Sequence, residues 1–425
     1  MHTLAFLEPG HFHASLTLRE ANPRVAPEVF VYATASPELD DFLARVERFN
    51  RRAERPTRWR LRVQISEDPL ARLLDERPGD LVVLAGRNGG KARVIRRLHA
   101  AGLHVLADKP WLVDPGDLDD IRPSLPGPPI VRETMTGRRD AVARLVKRLV
   151  DDPDIFGGFV NAETPAIEQE SVHHFEKRVD GAPLRRPWWY FDSRVQGGGA
   201  VDIPTHLVDQ AQWLLDATGR SGEAPRLLTA RGWSTHVPID VFRRVSGAGA
   251  VPPALRPIVE GDALRVFCNA ELTYALAGVT ARAAARWEIA TPPGGGDTSR
   301  VVLRGRSAEV SVEQSAGTQF RRRVSVVARG DARATERALG EALAAARTEL
   351  PGVEARRLGP GIHELVVPPA LDAGHEAHFA ELLDELLGWI DAREWPAAVA
   401  ERTLAKYTLL AEAAAATSAD DAARR

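Results

Sequence analysis

Residues 81–111, LVVLAGRNGGKARVIRRLHAAGLHVLADKPW, decide the fold. Leu81 to Ala85 is a continuous apolar run, as expected of a strand buried on both faces of a parallel sheet. Gly86 to Gly90 then makes a flexible turn. From Lys91 the period changes: Val94, Ile95, Leu98 and Ala101 fall on one helical face, and Gly102 stops the helix in a left-handed cap position. Leu103 to Ala107 returns to strand and delivers Asp108, Lys109 and Pro110 at its carboxyl end. Such β-α-β crossovers are almost always right-handed. Ligands of open α/β sheets sit outside the carboxyl ends of the strands, so Lys109 is placed at a site.

Working outward, Thr3–Leu7 reads as a first strand, Glu8–His13 as a turn, and a helix starts near Ala14. Val29–Tyr32 is a second strand. The Arg-rich stretch 50–62 reads as a helix end and an exposed loop. Ile130–Val131 is a further short strand after the Pro-rich turn 123–129, which marks a domain boundary. Beyond it the pattern predicts a helix over 138–150, a strand near 159–162, a long polar and aromatic segment over 163–196 and a helix over 203–215. Long alternating runs follow at 227–233, 264–276, 279–289, 301–303, 310–312 and 324–326, with turns such as PPGGGD (292–297) between them. This implies an antiparallel sheet. Helices are predicted over 375–390 and 397–413. The expected organisation is α/β: a doubly wound parallel-sheet domain (1–127), then an α+β domain on a large open, mainly antiparallel sheet (128–413). Residues 414–425 are expected to form a disordered tail.

The chain has 425 residues and a net charge of −2, so no field over the whole molecule recruits nucleic acid or an acidic membrane. Its 44% hydrophobic and 27% charged content is that of an ordinary globular protein. No segment has the roughly 18 apolar residues of a membrane span. The single cysteine, Cys268, excludes an intrachain disulfide and is expected to be a small buried residue. With no leader-like start, the expected location is cytoplasmic.

Four constellations carry candidate chemistry. The first turn stands where a G-x-G-x-x-G dinucleotide fingerprint belongs, but it holds Glu8, Gly10 and His13 at the three glycine positions. Gly10 keeps the position of closest approach to pyrophosphate. Glu8 is a carboxylate where phosphates would lie, and His11 and His13 are donors able to offset it. No acid follows strand two in Tyr32-Ala33-Thr34-Ala35-Ser36 before Glu38, so NAD and NADP are not distinguished. AGRNGGKA (85–92) imitates a phosphate-binding P-loop but lacks its first glycine and its final Ser or Thr. GGGAVDIPTH (197–206) puts glycines before a helix start, with Asp202 and His206 four apart and able to face the same way. Upstream, His173, His174, Trp188, Trp189 and Tyr190 suit a hydroxyl-rich ligand by hydrogen bonding and stacking, or serve as packing. HEAH (375–378) has its histidines three apart where the zinc motif needs four, so no metal ligand set is expected.

With these residues in hand, the chain resembles the glucose–fructose oxidoreductase, inositol dehydrogenase and MocA family. HVLADKPW is similar to that family's strand-borne Glu-Lys-Pro segment, with Asp108 in place of glutamate. LVVLAGRNGGKA resembles its Ala-Thr-Pro-Asn turn, GGGAVDIPTHLVD its Asp-x-x-x-His helix start, and EWPAAVAERTLAKYTLLAEAA its closing helix. The resemblance implies a Rossmann domain, an open-sheet second domain, and homo-oligomers (dimer or tetramer) packed through that sheet. It implies NAD or NADP as cofactor, with contacts from Gly10, His11, Phe12, Thr34, Ala85, Gly86, Asn88, Asp108 and Lys109. A small-molecule substrate, a sugar, polyol or cyclic alcohol, would meet His173, His174, Trp189, Asp202 and His206. Lys109, His206 and Asp202 are the expected catalytic residues. His206 acts as base or, in the opposite assignment, Lys109 does. A cofactor-free ligand-binding scaffold and redox-neutral glycoside chemistry with bound NAD are the alternative readings.

Overall fold

The computed structural model describes residues 1–179, 182–216, 223–292, 294–371 and 374–423. Two compact units emerge. The first comprises Met1–Thr136, Arg194–Gln196 and Gly374–Ala411; the second comprises Gly137–Ser193, Gly197–Ala373 and Glu412–Arg425. Residues Gly374–Ala411, which the sequence pattern assigns to the second domain, thus fall within the first unit.

The first unit is built on six parallel strands, β1 (Leu4–Leu7), β2 (Glu28–Ala33), β3 (Arg60–Ile65), β4 (Leu81–Leu84), β5 (His104–Ala107) and β6 (Val131–Glu133). Their order is β3-β2-β1-β4-β5-β6, the doubly wound Rossmann arrangement, with the switch point between β1 and β4. β1 and β4 are buried throughout, which is why LAFL and LVVL are unbroken apolar runs. Helices α1 (His13–Leu16), α2 (Pro37–Arg51), α3 (Pro69–Glu76), α4 (Lys91–Ala100) and α5 (Leu118–Ile121) connect them. β3 is where the pattern misleads. RLRVQI is a mostly exposed strand at the sheet edge, so arginines stand where a buried strand would carry aliphatics.

The second unit opens with α6 (Ala141–Asp151) and β7 (Ile167–Glu176). A two-residue pair, β8 (Arg178–Val179) and β9 (Ala182–Pro183), precedes α7 (Ser193–Gln196), whose last three residues belong to the first unit, and α8 (Pro204–Leu214). Long strands follow: β10 (Arg226–Pro238), then, after α9 (Ile239–Ser246), β11 (Val259–Glu260), β12 (Ala263–Leu276), β13 (Val279–Ala290), β14 (Thr298–Arg304), β15 (Ala308–Gln314) and β16 (Arg323–Ala328). α10 (Ala332–Ala345) precedes β17 (Glu354–Gly359) and β18 (Ile362–Val366). The sheet runs β10-β12-β13-β7-β14-β15-β16-β18-β17, with β11 paired to β12. Every pairing is antiparallel except β13 with β7. Thus β7, from the segment read only as polar and aromatic, is a central strand. The expected strand at 159–162 is reduced to one bridge between Phe159 and Gly305.

Two closing helices follow, α11 (His378–Ala392) and α12 (Ala397–Ala423). Leu382, Leu383, Leu386 and Leu387 of α11 join Leu4, Phe6, Val29, Val31, Leu81 and Val83 in one apolar cluster, so α11 covers a face of the parallel sheet. α12 extends through most of the segment expected as a tail, consistent with the high helix propensity of its alanines. Residues 424 and 425 lie outside those described. Within the first unit Lys406 is 1% exposed and pairs with buried Glu133, which also accepts the Tyr407 hydroxyl. Tyr407 in turn accepts the Trp111 amide at 2.9 Å and stacks on its ring, 5.5 Å between centroids. Burial, and then Glu133, push the Tyr407 phenol well above its usual range. These contacts tie α12 to the ends of β5 and β6.

Candidate functional site

In the first unit the candidate residues gather at the carboxyl edge of the parallel sheet. Glu8 ends β1 with φ 48°, a left-handed conformation costly for a residue with a Cβ. This turns its carboxylate to the end of β2, where Oε1 accepts the Thr34 amide at 2.9 Å and Oε2 the Thr34 hydroxyl at 3.3 Å. A carboxylate from the end of strand one thus stands at the end of strand two. The chain then folds over the end of β4: the amides of Gly10 and His11 both donate to the Ala85 carbonyl, at 3.0 and 2.9 Å. Gly86 permits this crossing, because a Cβ there would lie 2.3 Å from the Glu8 carbonyl oxygen. Two fingerprint amides are thereby engaged within the protein, and α1 is only four residues long.

The crossing delivers His11 and His13 to Asp108 at the end of β5. Asp108 is 4% exposed; His11 Nδ1 lies 3.0 Å from its Oδ2, and His13 Nδ1 lies 3.0 Å from Oδ2 and 3.1 Å from Oδ1. The Lys109 amide donates to Oδ1 at 3.0 Å. Burial alone would raise the Asp108 pKa, but the charges and hydrogen bonds of His13 and His11 outweigh it and hold the carboxyl well below its usual range. Phe12 packs against both imidazoles, and Phe379 of α11 against His13.

Asn88 and Lys91 brace the adjoining turn. Lys91 is 4% exposed and its ammonium donates to Asn88 Oδ1 (2.6 Å) and to the Asp108 carbonyl (2.9 Å). Asn88 reaches the Gln196 carbonyl at 2.8 Å, while the Asn88 and Gly89 amides hold that of Val195. The lysine of the P-loop imitation thus ties the β4 turn to the β5 end. Its signal in the sequence was a lysine at a helix start, and the pattern gave it no role.

In the second unit, Asp202 (5% exposed) and His206 flank the start of α8, and the His206 amide donates to the Ile203 carbonyl at 2.9 Å. The glycines before them serve packing rather than an open cradle: a Cβ on Gly199 would meet the Asn269 backbone at 2.3 Å, and one on Gly198 would touch Phe267 at 3.4 Å. Asp202 lies close enough to His173, Tyr190 and Cys268 to shift their titration electrostatically. Burial, aided by the Asp202 charge and outweighing the hydrogen bonds with Thr235, pushes the half-buried Cys268 thiol up to about 12, that of an inert thiol.

Around β7, Asp297 joins groups the sequence kept apart. It accepts His173 Nδ1 and His174 Nδ1, each at 3.1 Å, and pairs with Lys177. Burial works against the Asp297 anion, but His173 and Lys177 outweigh it and hold its pKa far below normal. His173 is lowered, chiefly by burial. Its ring stacks on Trp287 at 5.1 Å, and the Arg186 guanidinium lies 4.6 Å from the Tyr190 ring and 5.0 Å from that of Trp287. Trp189, expected as a stacking surface, is 1% exposed. Lys177, Arg186, Trp287 and Asp297 carry no motif. At the sequence level Asp297 ended a glycine-rich turn 120 residues after Lys177. In HEAH, His378 sits 3.5 Å from Glu381 of its own helix.

Residues 145–418 match the family model described as "Putative oxidoreductase C terminal domain". No curated protein matches the chain in sequence. Among solved structures, a putative oxidoreductase from Parabacteroides merdae is 33% identical, with a TM-score of 0.93 over 99% of this chain and 98% of the other. A 3-ketoreductase from Actinomadura kijaniata in complex with NADP and TDP-benzene shares 15% identity and a TM-score of 0.56, over 96% and 95% of the two chains. A putative myo-inositol dehydrogenase from Sinorhizobium meliloti shares 15% identity and a TM-score of 0.54, over 100% and 98%. At that identity these two show the fold alone.

Proposed function

Because the chain belongs to the glucose–fructose oxidoreductase, inositol dehydrogenase and MocA family of oxidoreductases, we propose that it transfers a hydride between NAD or NADP and a sugar, polyol or related cyclic alcohol. The observation that carries this reading is the Asp108-Lys109 pair at the carboxyl end of β5, beside the switch point of a 3-2-1-4-5-6 sheet. The residues along that edge fit a dinucleotide. Glu8 and Thr34 suit ribose hydroxyls at β2, Gly10 leaves room at β1, and Asn88, Asp108 and Lys109 suit the nicotinamide half. The actinomycete ketoreductase bound to NADP supports the cofactor class.

When bound, the nicotinamide supplies the hydride chemistry. The chain's part is to orient the alcohol and manage its proton. Lys109 would hydrogen-bond the reacting oxygen and stabilise alkoxide character. His206, whose ordinary pKa lies near neutrality, would take the proton, with Asp202 orienting the substrate. The reverse assignment of base and orienter uses the same two groups. Of the aromatic group, His173 would face the substrate side, while His174 and Trp189 are buried. Homo-oligomers through the second sheet are supported by exposed Val327, Ile362 and Val366 on adjoining strands.

Lys109→Ala and His206→Ala should each abolish cofactor-dependent turnover of a sugar and polyol panel while leaving the circular dichroism unchanged. Near wild-type rates in both would remove the assignment. A second reading, a ligand-binding scaffold with weakened cofactor affinity, is favoured by one observation: the Gly10 and His11 amides are taken up by Ala85. Thermal shifts with NAD, NADH, NADP and NADPH separate the two, since a binder raises the melting temperature by mass action.

A further inference from the structure

We propose that His11, His13 and Asp108 form a binding site for one divalent transition-metal ion of the zinc class. The H-x-H spacing puts both histidines in the turn that crosses β4, while Asp108 comes from β5, so only the tertiary fold assembles the set. Among the described residues it is the one grouping of three or more His, Cys, Asp or Glu side chains whose donor atoms all lie within 4.8 Å of one another.

Two of the donor separations are those of a shared ion, and all three fall within 4.8 Å. Both Nδ1 atoms stand 3.0 Å from the same carboxylate oxygen, Oδ2. Donors bound to zinc at about 2.0–2.2 Å, at angles between a right angle and the tetrahedral value, lie roughly 3 Å apart. Two imidazoles and a carboxylate are the donor types chosen by zinc and neighbouring first-row ions, and three protein ligands leave a position open for water or substrate. The surroundings supply what such ligands need. The Lys109 amide on Oδ1 fixes the carboxylate plane, and Phe12 and Phe379 hold the rings in an apolar shell. By contrast Asp297, a carboxylate likewise met by two histidines, is paired with the Lys177 ammonium. A cation already sits there.

The site shares Asp108 with the edge assigned to the nicotinamide half, so its test uses neither nicotinamide nor turnover and stands or falls apart from that reading. The untagged full-length protein, stripped with chelator, is dialysed against micromolar zinc and its metal content measured. Cobalt is titrated in parallel as a spectroscopic reporter. The expected result is one zinc per chain and a visible cobalt ligand-field spectrum of nitrogen and oxygen donors, abolished by zinc. His11→Ala, the less buried position, and Asp108→Asn should each weaken cobalt binding by at least about tenfold. Circular dichroism verifies that both remain folded, and His236→Ala on the surface should bind like wild type. Absence of stoichiometric metal overturns the proposal and leaves the triad a hydrogen-bonded brace. So does metal binding that both site variants leave untouched.

Discussion

Gly86→Ala tests whether the crossing of the first turn over β4 builds the candidate site. The added methyl would lie 2.3 Å from the Glu8 carbonyl oxygen and 3.2 Å from the Gly10 nitrogen, both backbone atoms with no rotamer in which to escape. Ordinary contact needs about 3.5 Å, so the turn must retreat by about 1 Å. Overpacking of this kind costs about 1–3 kcal/mol. The retreat also weakens two hydrogen bonds onto the Ala85 carbonyl, each worth about 1 kcal/mol net. A loss of about 3 kcal/mol follows, equivalent to roughly a hundredfold in the opening equilibrium. Hydrogen exchange of peptides covering β1 and β4 reads that opening locally, without assuming a single transition for a two-unit protein. Gly249→Ala is the control, since a Cβ there meets nothing within 4 Å. Equal protection in Gly86→Ala, Gly249→Ala and wild type would refute the account of the crossing.

Glu8→Gln removes a negative charge from the end of β2, where an NADP 2′-phosphate would meet it. The ratio of NADPH to NADH affinity, measured by fluorescence titration, should rise by about tenfold, or about 1.4 kcal/mol. An unchanged ratio would mean that Glu8 does not read the ribose. Lys406→Met strands Glu133 in the interior and should cost about 3–5 kcal/mol in thermal or denaturant unfolding. Pairing it with Glu133→Gln should recover part of that loss. If the double variant is no better than the single, the ion pair is not the source of the effect.

The parallel sheet was legible because burial on both faces leaves a local mark: LAFL and LVVL are apolar without interruption, and the helix between β4 and β5 carries its own stop at Gly102. The long strands of the second unit were legible by alternation. β3 was not, because an exposed edge strand carries arginines, and β7 was not, because its buried positions include polar groups such as Gln169 and His174, whose partners Gln210 and Asp297 lie far away in the sequence. Glu8 looked like an obstacle to phosphate until its backbone was seen to turn the carboxylate toward Thr34.

The sequence by itself determined the layered class of the first unit, the strand end that bears Lys109, and the helix start that bears Asp202 and His206. These are matters of local period and punctuation, which lie within a few residues of one another. The tertiary structure decided which side chains share a carboxylate: His11 and His13 with Asp108, His173, His174 and Lys177 with Asp297, Lys406 and Tyr407 with Glu133. Each of those partnerships joins residues some 95 to 274 positions apart. A carboxylate records no trace in its own neighbourhood of the distant cation or imidazole that will neutralise it.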